Sequence, residues 1–470
     1  MIEAHHPIGG AVASRNDGDG LAQLTEMMRG TPAGAPAKRA PTPRPPADRR
    51  ARRRARIIGL SVTGAVVLVI AGLVASYVVW ALHAPISPAS ATVQTPEVPT
   101  PAAAGSLLAP EGQSAISVSG ADDYLGPQAS GVWQSSGDET VPMASISKVI
   151  TALVILQAKP LGSATDAGPT IAFTKADVAL YDKYYVLNAT LAPMPSGSSL
   201  SEHDALETML VVSASNYAEA LSTWAYGSQG AFLAAAKKWL ATNGMTHTRM
   251  VEPTGLDDRN TSTASDLIAL GKLAMANPAV AAMVGTRSLD IPGSKVSGMT
   301  NTNGMLGSDG IDGIKTGTLD TGSDLLFSAN VTVPDLPGKP LRVFGVVLSG
   351  YTRDSVDGDV RAMLHALAAG FHSTPLGTQG DVVGTYTTRW GASAKMVLGD
   401  NAGITTWSNT PITVKMSTGS ITTGKARQKV GTVTWTAGSS TVTVPVVLDE
   451  AVKPPTDEWR LTHPGELGKK

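Results

Sequence analysis

The sequence contains no cysteine, and that absence excludes structural disulfides, a thiolate nucleophile, cysteine-ligated metals and a lipid-modified N-terminal cysteine. Histidine is sparse, at eight residues in 470. His5 and His6 stand in an N-terminal tail, His83 follows a long apolar run, and the others lack ligand spacing. Neither a metal site nor a histidine-assisted serine mechanism is expected from them. Net charge is almost nil, at −1 near neutral pH, which argues against a general nucleic-acid role. Internal repeats are also missing.

The charge that is present is uneven. Lys38, Arg39, Arg44, Arg49, Arg50, Arg52, Arg53, Arg54 and Arg56 crowd ahead of Ile57–Leu82, 26 residues without a charged side chain. At about 1.5 Å per residue this run spans roughly 39 Å as a helix, enough to cross a hydrocarbon layer of about 30 Å with some tilt. It reads as one transmembrane helix. The positive-inside bias of the arginines leaves residues 1–56 cytoplasmic and everything after Leu82 outside, with Tyr77 and Trp80 near the outer interface. The arginines themselves read as a solvated flank rather than a DNA-binding patch. A cleaved signal peptide ending near Ala89-Ser90-Ala91 is the rival, and it fits a run this long behind so long a tail less well.

Composition suggests the remaining boundaries. Residues 1–56 form a disordered basic tail and 57–82 the membrane helix. Residues 83–110, with Pro85, Pro88, Pro96, Pro99, Pro101 and Pro110, make an extended, semi-rigid spacer. From 111 to 376, β-like stretches alternate with helical patterns. Asp324–Val333 and Leu341–Ser349 form a hairpin around the Pro-Gly-rich turn Pro334–Pro340, and Val360–Phe371 is an amphipathic helix. Residues 377–452 alternate around small turns as a separate all-β domain, and the tail 453–470 reads as unstructured.

Ser145-Ile146-Ser147-Lys148 is the sole Ser-x-x-Lys of the chain, and it opens the apolar run Val149–Leu156. A buried helix there would carry both side chains toward one cleft. A serine hydroxyl needs a base within reach, and Lys148 serves only when neutral, which burial and a nearby cation both favour. Taken alone, the pattern fits a helix cap with a surface lysine better. Lys315-Thr316-Gly317-Thr318 is the sole Lys-Thr-Gly, preceded by Gly310-Ile311-Asp312-Gly313-Ile314 and followed by the hairpin, as suits an edge strand. Lys315 with the hydroxyls of Thr316 and Thr318 would bind a carboxylate, and Gly317 would let substrate approach the backbone. The backbone N–H groups of Ser145 and Thr318 would form an oxyanion hole. Between the two motifs, Val212-Ser213-Ala214-Ser215-Asn216 is a small polar cluster in which Ser213 would relay a proton to a leaving amine.

In this order, Ser145-x-x-Lys148, the Ser213 cluster and Lys315-Thr316-Gly317 resemble the penicillin-recognising serine acyltransferases, in particular the low-molecular-mass D-alanyl-D-alanine carboxypeptidases of serine peptidase family S11. Ser135–Thr140 ahead of Ala144-Ser145, Asn301-Thr302-Asn303, Asp309–Gly317, Gly255-Leu256 and Ser262-Thr263-Ala264 through Asp266 extend the likeness over roughly residues 115–371. The resemblance implies an α/β (α+β) fold of the β-lactamase/transpeptidase type: an antiparallel sheet flanked by helices, a helical subdomain and a following small all-β domain. It implies a membrane-anchored serine carboxypeptidase that removes the terminal D-alanine of a peptidoglycan stem peptide, is trapped by β-lactams and uses no metal or organic cofactor. One departure concerns the third position of the middle motif, usually Asn in the family, where Ser215 stands. Asn216 follows one residue late, and a shifted turn would let it substitute. That departure leaves a penicillin-binding or wall-binding scaffold with weak turnover as an alternative. A class A-like β-lactamase using Glu252 is a lesser one.

Overall fold

A computed structural model describes residues 49–125, 132–134, 138–336, 338 and 340–468, without the side chains of Arg49, Arg50 and Arg52. The expected disorder of residues 1–48 and the motif residues Ser135, Ser136 and Gly137 lie outside the described residues. The chain divides into two units, residues 1–80 and 81–470.

The first unit is carried by helix α1, Arg49–His83. At 35 residues it is about 52 Å long, and Arg53–His83 is long and apolar enough to cross a membrane. Leu60 and Leu68, each 74% exposed, present bare hydrocarbon to the surroundings. The helix begins ahead of the expected tail boundary at residue 56, because the Arg- and Ala-rich stretch Arg49–Arg56 is itself a strong helix former.

In the second unit a five-stranded antiparallel sheet forms from β2 (Gln113–Ser119), β3 (Trp133–Gln134), β4 (Ile311–Leu319), β5 (Gly322–Val331) and β6 (Leu341–Gly350), in the order β4-β5-β6-β2-β3. Helices cover both faces, so its strands are buried almost continuously. The period-2 pleat divides their side chains between two cores. Ile116, Val118, Leu325, Phe327, Val343 and Val347 face one core, which helix α8 completes with Val356, Val360, Met363, Leu364 and Leu367. Ala115, Ile314, Leu326, Phe344, Val346 and Leu348 face the other. That second core is helical: α2 (Ser147–Ala158), α3 (Lys175–Val186), α4 (Glu202–Val211), α5 (Ser215–Tyr226), α6 (Gln229–Thr242) and α7 (Ala264–Ala276). Every residue of α2 from Ser147 to Leu156 is buried, as a run with no polar stripe requires of a central helix. Helix α8 is Arg353–Ala369; it starts seven residues before the expected Val360 because Thr352 and Ser355 close a reciprocal cap.

The C-terminal region is all-β: β7 (Phe371–Gly377), β8 (Val382–Thr387), β9 (Ser393–Leu398), β10 (Ala402–Trp407), β11 (Ile412–Thr418), β12 (Lys429–Ala437) and β13 (Ser440–Leu448). Tyr386, Met396, Val433, Trp435 and Val446 fill its core.

Three sequence expectations fail here. The segment 83–110 is not a free spacer. Its proline-free Ser90–Val93, rich in β-favouring residues, forms β1 and pairs with β8 as the edge of the six-stranded sheet β1-β8-β9-β13-β12-β11. Farther along, Leu107 and Ala109 are buried in the core beneath α8. The boundary at 376/377 also moves, since β7 pairs with β10 and thus joins the β region directly after Gly370. Finally, the tail past Lys453 contains helix α9, Asp457–Thr462, capped by Thr456 Oγ1, which accepts from Trp459 N at 3.2 Å. The Trp459 ring stacks on His463 with centroids 4.8 Å apart, and Arg389 pairs with Glu466 at 2.5 Å. The Thr-Asp-Glu start at Thr456 was a legible helix N-terminus.

Candidate active site

The chain enters α2 through a single 3-10 turn, Ala144–Ile146, with Ala144 held at φ +43°. This turn presents Ser145, and one turn on, Lys148 Nζ donates to Ser145 Oγ at 2.9 Å. Its second acceptor is the Thr254 carbonyl at 2.7 Å. Lys148 is 1% exposed, which removes the reading of a surface lysine. Burial brings its pKa down to about 7, and the nearby negative charge of Glu252 offsets part of that fall. A substantial share of the amine is therefore uncharged at neutral pH, hydrogen-bonded to the hydroxyl whose proton it would take.

The loop that holds Lys148 was not assembled from the sequence. The Glu252 carboxylate accepts from the backbone N–H groups of Thr254 and Gly255, both at 2.6 Å, and from Asn260 Nδ2 at 3.1 Å. Asn260 Nδ2 also reaches Ser147 Oγ at 3.1 Å, and Thr151 Oγ1 donates to the Pro253 carbonyl at 2.7 Å. Glu252 is therefore an anchor of loop geometry, and its carboxylate oxygens are occupied by that framework. Gly255 sits at φ +81°, where a Cβ would lie 1.8 Å from the Ala144 carbonyl oxygen. Glycine alone permits this approach of the loop to the Ser145 turn.

Opposite stands β4, the edge strand the sequence predicted. Lys315 is 1% exposed, and its Nζ donates to Thr302 Oγ1 at 3.2 Å, which also accepts from Thr316 Oγ1 at 2.7 Å. Burial, then the charges of Lys148 and Arg353, hold the Lys315 pKa well below its ordinary value. Gly317 does not serve the expected purpose of admitting substrate: a Cβ there would meet Ala144 Cβ at 2.8 Å and Asp324 Oδ2 at 2.7 Å. Its missing side chain lets the strand close on the Ser145 turn. Arg353 anchors the strand end by donating to the Gly317 carbonyl at 2.9 Å and Thr318 Oγ1 at 2.6 Å. Arg342 lies elsewhere, paired with Asp312 at 2.6 Å.

The middle segment links α4 to α5. Ser213 adopts φ +66° and is 4% exposed. The Thr302 N–H donates to the Val211 carbonyl at 3.1 Å, tying this segment to the residue that holds Lys315. Ser215 begins α5 and lines a cavity of about 180 Å³ with Ser145, Asn188, Thr190, Leu256 and Thr318. Asn216 is not brought there. It is fully buried, and its amide pairs both ways with Ala192, accepting from N at 3.1 Å and donating to O at 2.9 Å. The shifted-turn substitution is therefore not realised. Ser215 holds the cavity position, while Asn216 fixes the backbone at Ala192, in the segment that follows α3.

Among the described residues, one cluster could hold a metal: His203, Asp204 and Glu207 on α4 bring ligand atoms within 4.8 Å of one another. Glu207 already accepts from Thr286 Oγ1 at 2.6 Å and His203 Nε2 contacts the Ala164 carbonyl at 3.2 Å, and none of the three lines the Ser145 cavity.

Residues 132–336, which hold all three motifs, match the model of the Peptidase_S11 family, described as D-alanyl-D-alanine carboxypeptidase. Two curated relatives, D-alanyl-D-alanine endopeptidases of Pseudomonas aeruginosa and Escherichia coli, are 34% and 32% identical over 140 residues, 30% of this chain. The chain spans 41% of the length of each. Among solved structures, penicillin binding protein 5 from Haemophilus influenzae aligns at 16% identity and a TM-score of 0.48, covering 76% of this chain and 99% of that one. The match to the family model ends at residue 336, before β6, Arg353 and α8.

Proposed function

We propose that this chain is a serine D-Ala-D-Ala carboxypeptidase held at the outer face of a membrane by α1. The carrying observation is the hydrogen bond of 2.9 Å between Lys148 Nζ and Ser145 Oγ, made by an amine whose pKa burial lowers to about 7. Ser145 Oγ attacks the penultimate D-alanine carbonyl of a stem peptide as neutral Lys148 takes its proton. The N–H groups of Ser145 and Thr318 receive the developing oxyanion. Ser213 relays that proton from Lys148 to the departing amine, releasing D-alanine, and water then cleaves the ester. Lys315, Thr316 and Thr318 receive the terminal carboxylate, whose arrival offsets the burial that disfavours charge on Lys315. A β-lactam acylates the same serine. On this reading residues 1–56 lie on the cytoplasmic side and the β region extends the enzyme away from the site.

A second reading, a penicillin-binding scaffold with little turnover, is supported by Ser215, which gives the cavity a hydroxyl where an amide would hold the acyl part of a peptide. Release of D-alanine from a pentapeptide by the full chain, with labelling by a fluorescent penicillin, separates the two. Release and labelling that both vanish in Ser145→Ala support the carboxypeptidase. Labelling without release favours the scaffold, and labelling that persists in Ser145→Ala refutes the proposed nucleophile.

A further inference from the structure

Asp324 on β5 stands directly across from Gly317 in the pairing of β4 with β5, and no step of the reaction above uses it. The residue is 3% exposed. Its Oδ1 accepts from the Ser349 N–H at 2.8 Å, and its Oδ2 stands 2.7 Å from where a Cβ on Gly317 would lie, a space it shares with Ala144. A carboxyl is thus built into the dry wall of the cleft, beside the residue that precedes Thr318. Burial pushes its pKa up to about 7, against the pull of the Ser349 N–H and the Arg353 charge, so it is ionised above that pH. Arg353 reaches both sides of this wall: Nη1 donates to the Asp324 carbonyl at 3.0 Å, while Nη2 holds the Gly317 carbonyl and Thr318 Oγ1. Two carboxylates offset the burial of that guanidinium, first Asp357 and then Asp324. Asp357 is half-buried on α8 and also feels Arg361, whereas Asp324 lies inside the sheet. Where water is excluded, a second carboxylate arriving at Thr318 meets the repulsion of the first.

We propose that Asp324 limits how tightly the cleft holds a terminal carboxylate, competing with the ligand for the positive charge of Arg353, so that the carboxylate-bearing product, free D-alanine, leaves readily. The inference rests on the acyl-transfer reading above and concerns release from that same site. Asp324 touches no reacting atom and acts through Arg353. Its place inside the wall gives the charge a fixed distance from Thr318, which a carboxylate on a mobile surface side chain would not have.

The test uses the full chain in detergent, with Ser145→Ala to stop turnover, at a pH about 1.5 units above the Asp324 midpoint, where that carboxyl is ionised. Two pentapeptides are titrated, identical except that one ends in the D-alanine carboxylate and the other in its carboxamide. The ratio of their Kd values is internal to each protein, so loss of folded material does not move it. Asp324→Asn keeps an acceptor for the Ser349 N–H and removes the charge. It should raise the preference for the carboxylate by about tenfold, the size expected when one like charge several ångströms away is lost from partly screened surroundings. A merely structural role predicts weaker binding of both peptides instead. Asp357→Asn, which leaves the strands untouched, should move the ratio the same way by less. With Ser145 restored, Asp324→Asn should be inhibited by added D-alanine at lower concentration than the unaltered chain. A ratio in Asp324→Asn that is unchanged or lower, or a larger rise in Asp357→Asn, overturns the inference alone, provided the unaltered chain still releases D-alanine through Ser145. Absence of both Ser145-dependent labelling and D-alanine release overturns the acyl-transfer reading, and this inference with it.

Discussion

The pH dependence of acylation tests the Ser145–Lys148 pair most directly. Lys148 is active as a base only without its proton. At its ordinary value of 10.5 the neutral share at pH 7 would be roughly 0.03%, whereas at the lowered value of about 7 it is roughly half. Burial thus raises the working fraction about a thousandfold. Because the shift is downward, neutral amine is present above pH 7 and is lost below it. The second-order rate constant for acylation by a fluorescent penicillin should approach a plateau above pH 8 and fall about tenfold per pH unit below the midpoint. The penicillin carboxylate stays ionised across this range, so the limb reports the enzyme. Glu252 supplies the opposing charge that raises the Lys148 pKa, and Glu252→Gln should therefore move the midpoint to lower pH even as loss of loop anchoring lowers the plateau. Stopped-flow labelling of the full chain in detergent between pH 5 and pH 9 gives both values. A flat profile from 5 to 9, or a midpoint that rises in Glu252→Gln, would falsify the assignment of Lys148 as the base.

Two substitutions test the framework around that pair. Gly255→Ala places a methyl 1.8 Å from the Ala144 carbonyl oxygen at a φ of +81°, so it should cost at least about 2 kcal/mol and displace the Ser145 turn. Thermal unfolding and penicillin labelling of the folded fraction should both fall, and wild-type values for both would refute the close approach. Asn216→Ala strands the buried N–H and carbonyl of Ala192 and should destabilise by about 2–4 kcal/mol. The acylation midpoint should stay near pH 7, and a midpoint shift without loss of stability would place Asn216 in the cleft after all.

The two lysine motifs were legible because each is a short pattern whose chemistry is local: Ser145 and Lys148 share one helical turn, and Lys315 to Thr318 share one strand. The alternating sheet faces were legible for the same reason, since period-2 and period-3.6 patterns are set by neighbours in sequence. The acceptor for Lys148, however, is a backbone carbonyl 106 residues away. No side-chain pattern advertises a carbonyl, and Glu252, which fixes it, was read from the sequence as the acid of a β-lactamase alternative, with no sign of its tie to that carbonyl. Thr302 was likewise noted for its resemblance to a family pattern, with no hint that its hydroxyl joins Lys315 to Thr316.

Glycine misled in a consistent direction. At Gly317 the absent Cβ was assigned to substrate access, and the space is filled instead by Ala144 and Asp324. Gly255 has the same neighbour, the Ala144 residue that opens the Ser145 turn. Two glycines from segments more than sixty residues apart thus press on one peptide unit from two directions, and that contact holds the turn with Ala144 at φ +43°. A strained turn persists only where its surroundings over-determine it. The same two contacts therefore explain how a hydroxyl on so short a turn keeps its hydrogen bond to a buried amine. They also predict that relaxing Gly317 loosens Ser145 before it disturbs Lys148, which is held separately by the Thr254 carbonyl.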